Sequence, residues 1–256
     1  MHSIAEQGNA QMSESTKVVL VTGAARRIGA AIAQRLHQAG YHLALHAHGS
    51  GTELAALCAM LEQARPGSTL ALQGDLREVE TPNALFAACM ARFGRLDALV
   101  NNASNFFPTP LGETTAAEWD ALFAVNARAP FLLVQAAAAQ LRARGGSVVN
   151  LTDAALAHPL PAHAAYTAAK GALAALTAAL AVELAPQVRV NAVAPGTILW
   201  PEAGKDEADK VATLARTPLG RTGSPEEVAE AVRWLLDDAH YLTGHTLPVD
   251  GGRSWR

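Results

Sequence analysis

The stretch Lys17-Val-Val-Leu-Val-Thr-Gly-Ala-Ala-Arg-Arg-Ile-Gly29 decides the fold of this chain. Lys17–Thr22 is a short run of mostly apolar, β-branched residues, the pattern of a strand buried on both faces. Gly23 can make the tight turn that follows. Gly29 lets the next helix approach the strand, and that helix, rich in alanine and leucine, turns its free N–H groups and positive dipole end toward the turn. Strand, glycine turn and helix in this order form the opening unit of a parallel α/β sheet, because a helical crossover returns the chain to a parallel neighbour.

Outward from this unit, further runs read as strands: His42–Ala47, Thr69–Gln73, Ala98–Asn101, Ser147–Leu151, Arg189–Val193 and Thr246–Val249. Most are continuous rather than alternating, which predicts burial on both faces. Helical periodicity separates them. Two helical stretches open with capping boxes, Thr115-Ala-Ala-Glu118 and Ser224-Pro-Glu-Glu227, in which hydroxyl and carboxylate satisfy helix-start N–H groups reciprocally. Repeated βα units of this length predict an α/β fold, a doubly wound parallel sheet of about seven strands with helices on both faces. A single domain is expected over 17–256. The polar stretch 1–16, with neither an apolar segment nor a basic start, reads as a disordered tail.

The 256 residues carry 20 basic and 23 acidic groups, a formal net charge of −3, and are 50% hydrophobic. This balance supplies no broad basic field, so neither nucleic acid nor a membrane surface is an expected partner. The longest apolar stretch, Gly171–Val182, is too short to span a bilayer and reads as a packed helix. Cys58 and Cys89 sit in apolar helical patterns without CxxC spacing or a secretory signal. They read as reduced core thiols, and the cytoplasm is the expected compartment.

The glycine turn and helix start suit a pyrophosphate. At the end of the second strand, where NAD-binding sheets place an acid for the ribose 2′-hydroxyl, the sequence has Ala47 within His46-Ala-His-Gly-Ser50. No carboxylate repels a 2′-phosphate there, while Arg26, Arg27, His48 and Ser50 can face one, so NADPH is expected over NADH. Gly49 adds no basic group. The two histidines lack a cysteine or carboxylate to complete a ligand set, so no metal is expected. Asp75, in Gly74-Asp-Leu76, can accept from an adenine amino group or serve as an ordinary turn acid. Asn101-Asn-Ala-Ser104 either permits close approach of a ribose or forms an all-protein hydrogen-bond network.

Tyr166 and Lys170 lie four residues apart, on one helix face. An ammonium near a phenol favours phenolate and lowers its pKa toward a useful range. Asn126 sits inside a helical pattern that asparagine disfavours, which marks either a distortion held by water or a local surface residue.

In this order, the Thr22-Gly23 loop, Asn101-Asn-Ala103, Asn126, Tyr166, Lys170, Pro195-Gly196 and Val249-Asp-Gly-Gly252 resemble the short-chain dehydrogenase/reductase family across Lys17–Gly252. The resemblance implies a Rossmann-type sheet of seven strands. It implies Tyr166, Lys170 and Asn126 as catalytic residues, with Lys170 also on the nicotinamide ribose and Asn126 holding a relay water. It places Gly23, Arg26, Arg27, Ile28, Gly29, His48, Ser50, Asp75, Leu76, Asn102, Ala103, Ser104, Lys170, Pro195 and Gly196 around the cofactor.

Two departures from the common family pattern stand out: Arg27 at the usual middle glycine, and Asp153 at the usual catalytic serine. With Asn101-Asn-Ala-Ser-Asn-Phe-Phe-Pro-Thr-Pro110 and Tyr166-Thr-Ala-Ala-Lys-Gly-Ala-Leu173, they are similar to the pteridine reductase branch. That likeness implies substrate contacts from Arg27, Ser104, Phe106, Asp153 and Tyr166, and reduction of a dihydropterin or dihydrofolate-like ring. The chemistry agrees: a carboxylate beside Tyr166 keeps the phenol protonated, as reduction of a C=N bond needs, and can meet the 2-amino face of a pterin. The alternatives are a carbonyl or 3-oxoacyl reductase, which would prefer serine at position 153, and a non-enzymatic NADPH-binding regulator. Residues 197–221, with Trp200, Pro201 and the charged run Lys205–Lys210, read as a substrate loop or a solvated surface helix. The small-residue face Ala165, Ala168, Ala169, Ala172, Ala175 and Ala179 motivates an expected homotetramer, with burial inside the monomer as the alternative.

Overall fold

Seven parallel strands form one sheet: β1 (Val18–Val21), β2 (His42–Ala47), β3 (Thr69–Gln73), β4 (Ala98–Asn101), β5 (Ser147–Leu151), β6 (Arg189–Pro195) and β7 (Thr246–Val249). Their order is β3-β2-β1-β4-β5-β6-β7, so the chain reverses its direction of travel between β1 and β4. This is the doubly wound arrangement, and ligands bind at the carboxyl ends of strands beside such a reversal. The computed structural model describes residues 16–200 and 206–255; the expected tail, apart from Thr16, lies outside the described residues, as do Pro201 and Lys205.

Eight α-helices cover the sheet: α1 (Arg27–Gln38), α2 (Gly51–Ala64), α3 (Thr81–Phe93), α4 (Ala116–Phe123), α5 (Ala129–Arg144), α6 (Ala164–Leu184), α7 (Glu207–Ala215) and α8 (Pro225–Asp237), counted among the described residues. Alternation within β1 sets the two layers. Val19 and Val21 pack with Ile32, Leu36, Leu54, Val228 and Leu235 of α1, α2 and α8. Val18 and Leu20 pack with Leu85, Leu133, Leu141, Leu180 and Leu184 of α3, α5 and α6. Both expected capping boxes form, at Thr115 with Glu118 and at Ser224 with Glu227. Cys58 and Cys89 are buried free thiols.

Several expectations are corrected. The strands β3 and β7 are edges and remain partly exposed, because each has a neighbour on one side only. The strand β6 runs two residues beyond Val193, to Pro195. The small-residue face of α6 does not act as one surface: Ala165 and Ala169 are buried within the monomer, Ala168 and Ala172 are half-buried, and Ala175 and Ala179 are exposed. Within 197–221, by contrast, the surface-helix alternative is what forms: α7 is capped by Asp206 and carries Glu207, Asp209 and Lys210 outward. The helix α6 and the helical stretch Ala116–Arg144 are long and apolar enough to cross a membrane by length and composition. Both are packed in this fold, α6 through Leu173, Leu180 and Leu184 and α5 through Leu133, Val134 and Leu141.

Candidate active site

The turns after β1 and β4 are tied together before any ligand is considered. Thr22 Oγ1 accepts from the N–H groups of Asn102 (3.0 Å) and Ala103 (3.1 Å), and Asn102 Nδ2 donates to the carbonyls of Thr22 and Gly23, each at 2.9 Å. Gly29 approaches so closely that an added Cβ would lie 2.0 Å from Gly23 O, and one on Gly23 would lie 2.8 Å from Ala103 Cα. The start of α1 has no acidic residue in its first turn and no side-chain cap, leaving its N–H groups and dipole to a ligand. Arg27 begins that helix at φ 53°, in the left-handed region where glycine is comfortable and other residues are strained. The family's usual glycine at this position therefore has a backbone reason, and Arg27 departs from it at some energetic cost.

A cleft of about 620 Å³ runs from this turn to His48 and Asp75. It is lined by every residue expected around the cofactor from Gly23 to Ser104, whereas Lys170, Pro195 and Gly196 stand outside its lining. Gly196 instead abuts β7, since an added Cβ would lie 2.6 Å from Asp250 Cα. The cleft has the glycine cradle and helix start that suit the pyrophosphate of a nicotinamide dinucleotide, with hydroxyl and basic groups beside them. Its basic groups are partly engaged: Arg26 faces Glu53 at 3.9 Å, and His48 faces Asp75 at 3.9 Å. Asp75 is gripped bidentately by Arg77, which holds its carboxyl down at about pH 2 for half-protonation. Sequence reasoning missed Arg77, although its position two residues after the turn acid was the available signal.

The second cluster stands around α6 and the end of β5. Tyr166 Oη donates to Asp153 Oδ2 at 2.6 Å. Asp153 Oδ1 accepts from Ala155 N at 2.7 Å, capping the 3-10 turn Ala154–Leu156. One carboxylate thus serves the fold with one oxygen and the phenol with the other. Burial, and then the Asp153 charge, raise the Tyr166 pKa well above the usual phenol range. Lys170 is 3% exposed and donates from Nζ to Leu151 O at 2.7 Å, and its burial lowers its pKa to about 8. Lys170 is thus anchored on a backbone carbonyl, and the charge that raises the Tyr166 pKa is that of Asp153.

Asn126 occupies a π-helical turn, Ala124–Arg128, between α4 and α5. The expected distortion is present, and protein groups hold it: Nδ2 donates to Asn105 O and Leu122 O, both at 3.0 Å, while Oδ1 accepts from Ser104 Oγ at 2.7 Å. Such bulges place side chains that a regular helix would turn away. The amide groups of Asn101 and Asn102 donate to protein acceptors, while Asn101 Oδ1 is buried without a partner among the described residues. Asn101 Nδ2 donates to Asn150 Oδ1 at 2.8 Å, and Asn150 Nδ2 donates to Thr177 Oγ1 at 2.9 Å. Asn102 still shapes the cleft, with its amide committed to the β1 turn. Among the described residues no cluster of metal-ligating side chains occurs.

Comparison with known proteins places this geometry. A family model described as enoyl-(acyl carrier protein) reductase matches residues 23–254. The chain belongs to the short-chain dehydrogenase/reductase family. It is 38% identical to pteridine reductase 1 of Leishmania tarentolae, over 94% of this chain and 98% of the relative. It is also 36% identical to a 3-oxoacyl-(acyl-carrier-protein) reductase of Staphylococcus aureus, over 93% and 98%. A third relative, 3beta-hydroxysteroid dehydrogenase 1 of Eggerthella lenta, shares 35% identity over 92% and 93%.

As a short-chain dehydrogenase/reductase, this chain is an oxidoreductase, and its site brings Asp153 and Tyr166 into contact, with Phe106 4.8 Å from the Tyr166 ring. Phe106 is 54% exposed, while Phe107 packs toward Leu122, Ala165 and Tyr166 and helps close the core. Two residues near this cluster escaped sequence reasoning. His163 stacks on Phe106. Arg253 lies in the terminal 3-10 turn packed beside Ala154–Leu156, donates to Thr197 Oγ1 at 3.2 Å, and feels the Asp153 charge. Arg253 comes from a segment distant in sequence, and His163, only three residues before Tyr166, reaches the cluster by stacking on a ring from another loop, so no local motif announces either.

Proposed function

We propose that this short-chain dehydrogenase/reductase is an NADPH-dependent pteridine reductase that takes a dihydropterin or dihydrofolate-like ring to its tetrahydro form. The observation that carries the reading is the 2.6 Å hydrogen bond from Tyr166 Oη to Asp153 Oδ2. A serine in place of Asp153 leaves a phenol free to ionise under the influence of a nearby ammonium, which suits carbonyl chemistry run in either direction. A carboxylate keeps the proton on Tyr166 Oη, as a donor to a ring nitrogen requires, and presents oxygen acceptors to a 2-amino group. When bound in the cleft, NADPH supplies the hydride. Arg27 would orient phosphate and pterin, Ser104 would touch cofactor or substrate, and Phe106 would cover the ring.

The absence of an acid at Ala47, together with Arg26, His48 and Ser50, supports NADPH over NADH. The buried thiols Cys58 and Cys89 support a cytoplasmic setting. The exposed part of the α6 face, Ala175 and Ala179 beside Val182, supports a homotetramer, which sedimentation at micromolar concentration tests. Carbonyl reduction of a 3-oxoacyl thioester is the second reading, favoured by the 36% identity to the Staphylococcus aureus reductase. Rates of NADPH oxidation with dihydrobiopterin, dihydromonapterin, dihydrofolate, simple ketones and a 3-oxoacyl thioester decide between the two. Turnover confined to the ketones or thioester would remove the pterin reading.

A further inference from the structure

A half-exposed phenylalanine on a loop ordinarily samples several rotamers, yet the ring of Phe106 has two defined neighbours. His163 stacks on it with centroids 4.6 Å apart and planes 14° from parallel. Tyr166 meets it edge-on at 4.8 Å and 87°. One face of Phe106 is therefore taken and its orientation relative to the phenol is set.

The backbone around His163 is built to hold this arrangement. Thr109 N donates to Ala162 O at 2.5 Å, and Thr109 pairs with His163 in an isolated parallel bridge. Ala165 N donates to Thr109 Oγ1 at 3.4 Å, joining the Phe106 loop to the first turn of α6. Ala162 is held at φ 56°, a left-handed conformation that alanine avoids unless its surroundings impose it. His163 lies at the start of α6 without capping it; its Nδ1 instead lies 2.7 Å from Pro161 O, and since a carbonyl only accepts, Nδ1 carries the hydrogen. That bond fixes the plane of the imidazole.

We propose that His163 is a positioning residue: its imidazole sets the plane of Phe106, and so the plane in which a flat heteroaromatic ring lies against Tyr166. This rests on the pteridine reductase reading. A flexible aliphatic ketone would gain little from a fixed aromatic wall, whereas a bicyclic heteroaromatic ring needs one.

The test compares His163→Ala and His163→Phe with wild type on dihydrobiopterin and on a simple ketone. The proposal expects His163→Ala to raise KM for dihydrobiopterin about 2- to 10-fold, the worth of one aromatic stacking contact, with kcat within about twofold. NADPH affinity, read by fluorescence titration, should not move, and His163→Phe, which keeps a stacking ring but lacks the bond to Pro161 O, should restore KM in part. An unchanged KM in His163→Ala, or a loss of both kcat and KM that His163→Phe does not restore even in part, would overturn it. A second readout does not depend on the substrate: the His163 ring protons should resonate upfield in wild type and return toward free-histidine positions in Phe106→Leu. Absence of dihydropterin turnover in wild type would overturn the functional reading alone. The stacked pair is then judged by the ring-current shift, whose presence keeps it and whose absence ends it.

Discussion

Replacing Asp153 by serine separates the two jobs that its oxygens perform. Oδ1 caps the turn Ala154–Leu156 through Ala155 N at 2.7 Å, and Oδ2 accepts a hydrogen bond from Tyr166 Oη at 2.6 Å. Serine and aspartate are near-equal N-caps, so Asp153→Ser keeps most of the first job, with a stability change of about 0.5 kcal/mol or less. In a protein of this size that is a shift in Tm of about 2 °C or less. The second job is lost, because a hydroxyl neither raises the phenol pKa by charge nor pairs with an amino group as a carboxylate does. Loss of positioned acid–base help lowers pterin turnover by about 10²–10⁴, or about 2.7–5.4 kcal/mol of barrier. Tyr166→Phe should do likewise, and the double variant should cost little more than either single one, since the pair acts as a unit. Melting curves, NADPH affinity and steady-state rates on one preparation check this, with an ultraviolet titration expected to show the Tyr166 pKa fall in Asp153→Ser. Folded Asp153→Ser with unchanged dihydropterin turnover would refute the reasoning.

Three further outcomes follow from the geometry. Arg27→Gly should leave Tm unchanged or slightly raised, because the left-handed backbone at φ 53° is relieved of about 1 kcal/mol of strain, while kcat/KM with NADPH and dihydropterin falls about 10- to 100-fold from loss of a charge-assisted contact. Gly29→Ala places a Cβ 2.0 Å from Gly23 O and should cost about 3 kcal/mol or more in denaturant unfolding, whereas Gly171→Ala, with nothing within 4 Å on a helix, should be neutral or stabilising. His46 is buried with Nε2 on Gly74 O at 3.0 Å and Nδ1 unpartnered; burial first, then His48, lower its pKa below 6.5, against the opposing pull of the Gly74 carbonyl and Asp75. The unfolded chain therefore binds protons more strongly, so stability is held above pH 6.5 and lost as pH falls below it, and Tm should drop on going from pH 7 to about 5.5. His46→Asn should reduce that slope, leaving the part owed to His37 and His42, whose pKa values burial also lowers.

The fold was legible because its strands are buried on both faces and leave continuous apolar runs that a helix would not need. Ala98–Asn101 and Ser147–Leu151 begin and end where the sequence pattern puts them. The edge strands show the limit: Thr69–Gln73 and Thr246–Val249 mix apolar residues with Thr, Gln or Pro, and although Pro248 suits an edge strand, the sheet order is what places both strands at the edges. The α6 alanines divide between core and surface for a related reason. Small residues permit close packing against either a neighbouring subunit or the chain's own core, and here Ala165 and Ala169 turn to the core.

At the site, legibility followed sequence distance. Tyr166 and Lys170 share a helix face by their spacing, and the glycine turn announces its own backbone needs. The partnership of Lys170 did not follow from that spacing, because its ammonium reaches across to Leu151 O rather than along the helix toward the phenol. His163 and Phe106 lie on different segments, and their 4.6 Å stack depends on the Thr109 link between them, which no local pattern encodes. The same reasoning explains why Asp153 carries so much of the functional argument. Its position at the end of β5 makes one oxygen available to its own chain two residues on, and the other to a helix thirteen residues away. A residue that caps a turn with one oxygen thereby holds the Tyr166 hydroxyl with the other, and under the proposed function the choice between imine and carbonyl chemistry rests on that second oxygen.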